Sequence, residues 1–114
     1  MTRAARLLCD ALLALAGNAR VACARSVPWV SMEMAGERHC IGLAIEGTEA
    51  ANIAARLSGL LPDHEFAIRG LLVADLTAKI VRPDLDHAIV GVEALTFADS
   101  PMPEARVSPG RIPG

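Results

Sequence analysis

Two neighbouring stretches of the chain alternate apolar residues with polar or small ones, which is the period of a half-buried β-strand. In residues 29–35 the apolar positions are Val30, Met32 and Met34. Residues 40–46 place large side chains on one face and small ones on the other, as Ile41, Leu43, Ile45 and Cys40, Gly42, Ala44 respectively. The intervening Gly-Glu-Arg at 36–38 suits a turn, so the pattern predicts a β-hairpin.

The N-terminal segment has a helical period instead. Its apolar stripe predicts an amphipathic helix reaching about residue 22 and consists of Leu8, Leu12, Leu15, Ala19 and Ala22. A basic start, an apolar run and the Ala-Cys-Ala sequence at 22–24 are also features of a secretory signal peptide. Asp10 interrupts the apolar run and Arg20 precedes the cleavage-like sequence, so the amphipathic helix is the favoured interpretation.

A second helix and a second hairpin follow. Thr48 is a plausible N-cap, and Pro62 ends a helical stripe made of Ile53, Leu57, Leu60 and Leu61. Residues 65–81 have strand parity but exceed the usual strand length, which predicts a bend at Gly70-Leu71. The turn at 83–86 then leads into a returning strand at 88–97.

These elements predict an α+β fold: a two-layer sandwich of order α-β-β-α-β-β, in which both helices cover one face of a four-stranded, mainly antiparallel sheet. A crossover helix joins the second and third strands, so these two strands run in the same direction. The predicted domain spans residues 1–98. Residues 99–114 are rich in proline and glycine and are predicted to form a flexible tail.

Composition narrows the classes of function. The chain has 114 residues, 53% of them apolar and 3% aromatic, and a formal net charge of −2. The arginines are scattered, so nucleic acid is not an expected partner. No apolar run reaches the length of a membrane span, and a membrane association is not expected either. Three cysteines without close pairing indicate reduced thiols and a cytoplasmic protein.

The sheet face turned away from the helices is predicted to be an interface. Cys40, Gly42 and Ala44 make this face flat, and Leu71 and Val73 are expected to make it apolar. An apolar face of this kind favours a homodimer, formed through the sheet face or a sheet edge. The alternatives are that the sheet curls on itself or that the tail covers the face.

Histidines supply the one hint of chemistry. Because the second and third strands start at the same end of the sheet, the weak candidate ligand-binding residues are His39, Cys40, His64 and Glu65. The competing interpretation is that histidine and neighbouring acidic residues satisfy backbone groups where turns enter strands. His87, with Asp84 and Asp86, is predicted to lie at the opposite end of the sheet. No metal site, catalytic residue or cofactor is predicted.

Function is therefore open at this stage. Nucleotide-binding glycine motifs and the nucleophile elbow of hydrolases are absent from the sequence. The favoured hypothesis is a small oligomeric binding or assembly protein, a homodimer with a further protein partner allowed, rather than an enzyme. The first alternative is a small enzyme or ligand- or metal-binding protein with a site near His39 and His64. The second is a component of a larger assembly, such as a phage or secretion structure.

Overall fold

The structure, a computed structural model, describes residues 1–83 and 86–98 and confirms the predicted order of elements. The helices are α1 (Arg3–Ala16) and α2 (Ala50–Leu60), the latter followed by a 3₁₀ turn (Leu61–Asp63). The strands are β1 (Ala19–Val30), β2 (Ala35–Glu46), β3 (Leu71–Pro83) and β4 (His87–Ala98). The predicted α+β class is confirmed. The predicted tail at 99–114 lies outside the described residues.

The four strands form one antiparallel sheet in the order β1-β2-β4-β3. β4, the last strand of the described residues, therefore lies between β2 and β3. β2 and β3 are each antiparallel to β4, so they run in the same direction as each other, as predicted. His87 pairs with Glu46 at the end opposite the starts of β2 and β3, which is also as predicted.

The hydrophobic core lies between the sheet and the two helices. Leu8 and Leu12 of α1 and Leu57 of α2 are buried against the sheet. The fully buried apolar side chains that the sheet contributes are Leu43, Ile45, Val90 and Val92. Burial of each such side chain contributes about 1.5–3 kcal/mol, so this layer supplies the main stabilisation of the sandwich. Neither helix in the described residues has the length or apolar character needed to cross a bilayer.

The first helix is shorter than predicted. It ends at Ala16 because Gly17 adopts φ 71°, a left-handed conformation favoured by glycine, while its N–H donates to the Leu13 carbonyl. Ala19 and the residues after it enter β1 instead. An alanine-rich sequence is compatible with both a helix and a strand, and the predicted helix is therefore too long.

The first hairpin is shifted along the chain relative to the prediction. Its turn lies at residues 31–34, where the Ser31 N–H donates to the Met34 carbonyl at 2.8 Å. Met32 is fully exposed in this turn, so its alternation with Met34 does not mark a core face. The predicted strand at 29–35 and the predicted turn at 36–38 are wrong. β2 already begins at Ala35, and the hairpin itself is confirmed.

The third strand begins where a bend was predicted. Gly70 has φ 82°, β3 starts at Leu71, and residues 65–69 are not part of the strand. A β-bulge between Val73 and Asp75 shifts the register by one residue. Leu71 and Val73 therefore pack against the core, and their predicted place on the opposite face is wrong.

The second helix agrees with the prediction except at its start. The N-cap position is Glu49 rather than Thr48, and the Ala50 N–H bonds to the Gly47 carbonyl at 3.0 Å. Its buried positions include two alanines, Ala50 and Ala54, which allow the helix to approach the sheet closely. Of the predicted stripe, Leu57 and Leu61 are buried.

Candidate functional site

The face of the sheet turned away from the helices, here called the outer face, is the most distinctive surface of the described chain. Alternation along β2 and β4 assigns its central residues. These residues are Gly36, Arg38, Cys40, Gly42, Ala44, Ile89, Gly91, Glu93, Leu95 and Phe97. Two of them, Arg38 and Glu93, are charged and the others are apolar or small, and no helix of the described residues covers this face.

A depression of about 520 Å³, here called the trough, lies at the middle of the outer face. Gly42 and Gly91 pair with each other and form its floor. Cys23 and Val81, from the two edge strands, lean over these glycines. A Cβ atom at Gly42 would lie 2.8 Å from the Cys23 Sγ, and one at Gly91 would lie 2.7 Å from a Val81 methyl group. Glycine is therefore required for the present shape of the trough.

A ridge of large apolar side chains crosses the outer face near the hairpin turn, and it consists of Trp29, Phe97 and Leu72. All three belong to one register level of the sheet, which also includes Gly36. The Phe97 ring lies over Gly36, and Trp29 packs edge-on against it with ring centroids 5.4 Å apart. Leu72 is 50% exposed. Trp29 is half-buried and Phe97 is only 8% exposed, so Leu72 is the member of the ridge that is most open to solvent.

Charged side chains border these apolar regions. Arg25 and Arg38 lie on β1 and β2, whereas Asp75 and Glu93 lie on β3 and β4. Among the described residues there is one ion pair, between the exposed side chains of Arg20 and Glu46 at 3.5 Å. These four residues, and Lys79 on the outer face of β3 beside the trough, thus form no ion pair with one another within a single copy.

On the core face, His39 forms the centre of a polar row across three strands. Its Nδ1 lies 2.7 Å from Ser26 Oγ on β1, and its Nε2 lies 2.8 Å from Thr96 Oγ1 on β4. His39 and Thr96 are fully buried, whereas Ser26 is half-buried. Both ring nitrogens are hydrogen-bonded. The row therefore avoids the free-energy cost of burying an imidazole whose nitrogens have no partners.

The different burial of the two hydroxyl groups favours one direction of hydrogen bonding along the row. Thr96 is sealed from water, and its hydroxyl satisfies its hydrogen by donating to Nε2. Nδ1–H then donates to Ser26 Oγ, whose own hydrogen can reach solvent. Burial lowers the pKa of His39, and the nearby Glu37 carboxylate opposes that shift in part. The row therefore holds a neutral imidazole.

The structure separates the residues predicted to form a site. His39 lies on the core face of β2, whereas Cys40 lies on the outer face and lines the trough. His64 follows the 3₁₀ turn, and its ring packs edge-on against Phe66 at 4.7 Å; Glu65 beside it is exposed. In the part of the chain that the structure describes, no three potential ligands come close enough to hold a metal ion.

The remaining chemistry-bearing residues have structural surroundings. The Asp86 carbonyl accepts a hydrogen bond from the Gly47 N–H, which links the second hairpin to the end of β2, and Asp84 lies outside the described residues. All three cysteines are free thiols. Burial raises the pKa of the Cys9 thiol, and the negative charge of Asp10 adds to this effect.

Part of the outer face was predicted correctly from the sequence. Cys40, Gly42 and Ala44 were assigned to it, but the ridge was missed because the first strand was placed ten residues too late. The signal available was Trp29 and Phe97, two of the three large rings in the chain. The chain matches no protein-family model, and no curated protein or solved structure is significantly similar to it.

Proposed function

We propose that this protein is a small assembly protein whose outer sheet face binds another protein surface, in the first instance a second copy of itself. The observation that carries the proposal is the mainly apolar centre of that face, which no helix of the described residues covers. Core and helices occupy one side of the sheet, while Phe97, Leu95 and Ile89 lie on the other. Exposed apolar patches larger than a few hundred Å² on a small protein mark interaction surfaces.

The size of the face supports a stable interface. Four strands spaced about 4.8 Å apart, each about 12 residues long at roughly 3.3 Å per residue, give a surface of about 750 Å². A standard protein–protein interface buries about 800 Å² per partner. The face therefore offers the area of a complete interface without help from the helices.

The edges of the sheet favour the face over the edge as the route of association. β1 carries Pro28 and a bulge between Val21 and Cys23. β3 has bulges between Val73 and Asp75 and between Ile80 and Arg82. Proline and bulges interrupt the hydrogen-bonding groups that a further strand would need. Of the two routes considered from sequence, face packing is the one we propose.

No observation favours the alternative of an enzyme or metal protein near His39 and His64. Both nitrogens of His39 are engaged within the row, and Cys40 faces the other side of the sheet. A cytoplasmic location stays a prediction; the free thiols support it because reduced cysteines are usual there.

The proposal is tested by the mass of the protein in solution. We expect light scattering and sedimentation velocity to give about twice the 12.0 kDa mass of the chain at micromolar concentration. Leu72→Glu should weaken association by about a hundredfold, because each dimer would lose two apolar contacts of the ridge and would desolvate two carboxylates, a cost that a facing charge of opposite sign does not repay.

Leu60→Glu is the matched control. Leu60 lies on α2 and is 46% exposed, against 50% for Leu72, so both substitutions add the same charge at similar exposure. We expect Leu60→Glu to remain dimeric. A monomer at high concentration for the unmodified chain, or equal loss of association in both variants, would contradict the proposal.

A further inference from the structure

We infer that two copies pack outer face to outer face about a two-fold axis perpendicular to the strands, so that the ridge of each copy occupies the trough of the other. This inference rests on the proposed self-association and specifies its geometry. Its basis is that the outer face carries an apolar projection and an apolar depression side by side. A surface that must complement itself in a two-fold dimer needs both.

The spacing of these two features suits such an axis. The ridge lies at the level of Gly36 and the floor of the trough at the level of Gly42, about 20 Å apart along β2 at roughly 3.3 Å per residue. The midpoint between them is the pair His39–Ala94, which lies within two residues of the centre of β2. An axis at this level exchanges ridge and trough and places residues 35–43 of β2 over the same residues of the partner, about nine of the twelve positions of the strand.

The resulting contacts fill the trough. With the axis perpendicular to the strands, each strand lies over the same strand of the partner and runs in the opposite direction. Trp29 then lies over the partner's Cys23, Phe97 over the partner's Gly91, and Leu72 over the partner's Lys79. The ring of Phe97 thus faces Gly91 together with the Val81 methyl group that lies over that glycine, which makes this an apolar contact.

Charge supports the same arrangement. Arg38 lies two residues from Cys40 on β2, so the rotation places it over the partner's Cys40, between the partner's Glu93 on β4 and the partner's Arg25 on β1. Glu93 pairs with Cys40 in the sheet and is exposed in the single copy. The two equivalent Arg38–Glu93 contacts would flank the axis and neutralise charges that are unpaired within one chain.

The competing arrangement has the two-fold axis parallel to the strands. It places Arg38 over the partner's Leu95, beside the partner's Asp75, and Arg25 over the partner's Thr77, beside the partner's Glu93, which is also favourable. However, it stacks ridge on ridge, which holds the sheets apart over both troughs. Loss of apolar contact across the centre of an interface outweighs exposed ion pairs, which contribute little.

Cross-linking distinguishes the two axes. Leu72→Cys and Lys79→Cys are each made in a chain carrying Cys23→Ser and Cys40→Ser, then mixed and treated with a short bismaleimide. The two sites are about 20 Å apart within one copy but face each other across the ~10 Å between packed sheets. We expect on the order of tenfold more cross-linked dimer in the mixture than in either variant alone.

The parallel axis predicts a different product. It brings β3 over the partner's β1, so Lys79→Cys would cross-link to native Cys23 in a chain that retains that cysteine. That product would overturn the inference while leaving self-association intact. A protein that scatters light as a monomer and gives neither product would overturn the proposed function together with the inference.

A charge exchange gives a second readout that does not depend on introduced cysteines. Arg38→Glu should weaken dimerisation, and combining it with Glu93→Arg should restore the affinity to within about threefold of the unmodified chain. Restoration by Asp75→Arg instead would support the parallel axis, because only that axis places Asp75 beside the partner's Arg38.

Discussion

His39 shows how one buried imidazole can be accommodated by an otherwise aliphatic core. The residues that satisfy it come from distant parts of the sequence, 13 residues before it and 57 residues after it. The two hydroxyls have different roles because Thr96 is sealed from water and Ser26 is half-buried. Loss of the Thr96 hydroxyl and loss of the Ser26 hydroxyl should therefore affect stability unequally.

We predict that Thr96→Val destabilises the protein by about 1–3 kcal/mol, because it leaves Nε2 of a buried imidazole without a partner. Ser26→Ala should cost less, about 1 kcal/mol or below, since water can replace a partner at a half-buried position. Urea unfolding of the two variants measures the difference. Equal losses, or a larger loss for Ser26→Ala, would contradict the difference in water access between the two hydroxyls.

The same residue predicts a pH dependence. Because burial lowers the pKa of His39, the unfolded state binds its proton more readily than the folded state. Stability is then fully present above the unfolded pKa, near about 6.5, and is lost as pH falls from there toward the folded pKa. We expect urea unfolding to show this loss as the pH falls below about 6.5.

His39→Gln supplies the comparison for the pH series. The variant should lose less stability over the same interval, because a glutamine does not titrate. His64→Gln keeps the row intact and should retain the dependence of the unmodified chain. If His39→Gln and the unmodified chain have parallel pH profiles, His39 is not the group responsible.

At the scale of elements, the trough depends on glycines that edge-strand side chains overlie. Gly42→Ala should destabilise the chain by about 1–3 kcal/mol, because the new Cβ would meet Cys23 Sγ at 2.8 Å. Adding Cys23→Ala removes that sulfur, so the double variant should recover much of the loss. A double-mutant cycle from thermal or urea unfolding checks the coupling, and additive effects would mean that the two residues do not collide.

The helix boundary shows why some element limits could not be predicted. Residues 19–24 are mostly alanine, valine and cysteine, which continue the stripe of α1 as readily as they form β1. Gly17 decides the outcome through its φ of 71°, and a glycine in sequence does not reveal whether it will adopt it. The number of elements, their order and the shared direction of β2 and β3 followed from pattern and connectivity alone.

The bulge in β3 shows why the site was only partly predictable. Strand parity assigns each residue to a face of the sheet. A single inserted residue reverses that assignment for all residues of the strand that lie on one side of the bulge. Leu71 and Val73 consequently pack in the core, whereas Leu72 contributes to the ridge. The residues on β2 were assigned correctly because its pairing with β4 is regular from Gly36 to Glu46.

For the whole molecule, an apolar outer face and interrupted edges act together. The face favours association, while Pro28 and the bulges discourage strand addition that would propagate without limit. Face packing about a two-fold axis closes after two copies, because each face is used up by its partner. The expected product is a discrete dimer rather than a filament.

A dimer of this kind should have a melting temperature that rises with protein concentration, because association stabilises the folded chain by mass action. Differential scanning calorimetry over a hundredfold range of concentration, with Leu72→Glu as the monomeric reference, measures the effect. The reference should melt at one temperature throughout. A concentration-independent melting temperature for the unmodified chain would argue against dimerisation in that range.

The position of β4 at the centre of the sheet has a consequence for how the chain acquires its structure. The first hairpin and β3 are synthesised before β4. In the folded sheet β4 lies between β2 and β3 and pairs with both, so β3 does not pair with β2 directly. Domains usually fold as units once their last element has left the ribosome, and pairings between distant segments are slow. The nascent chain must therefore keep the inner edge of β2 unpaired until its final strand emerges, which makes folding of this small domain an event that follows its synthesis.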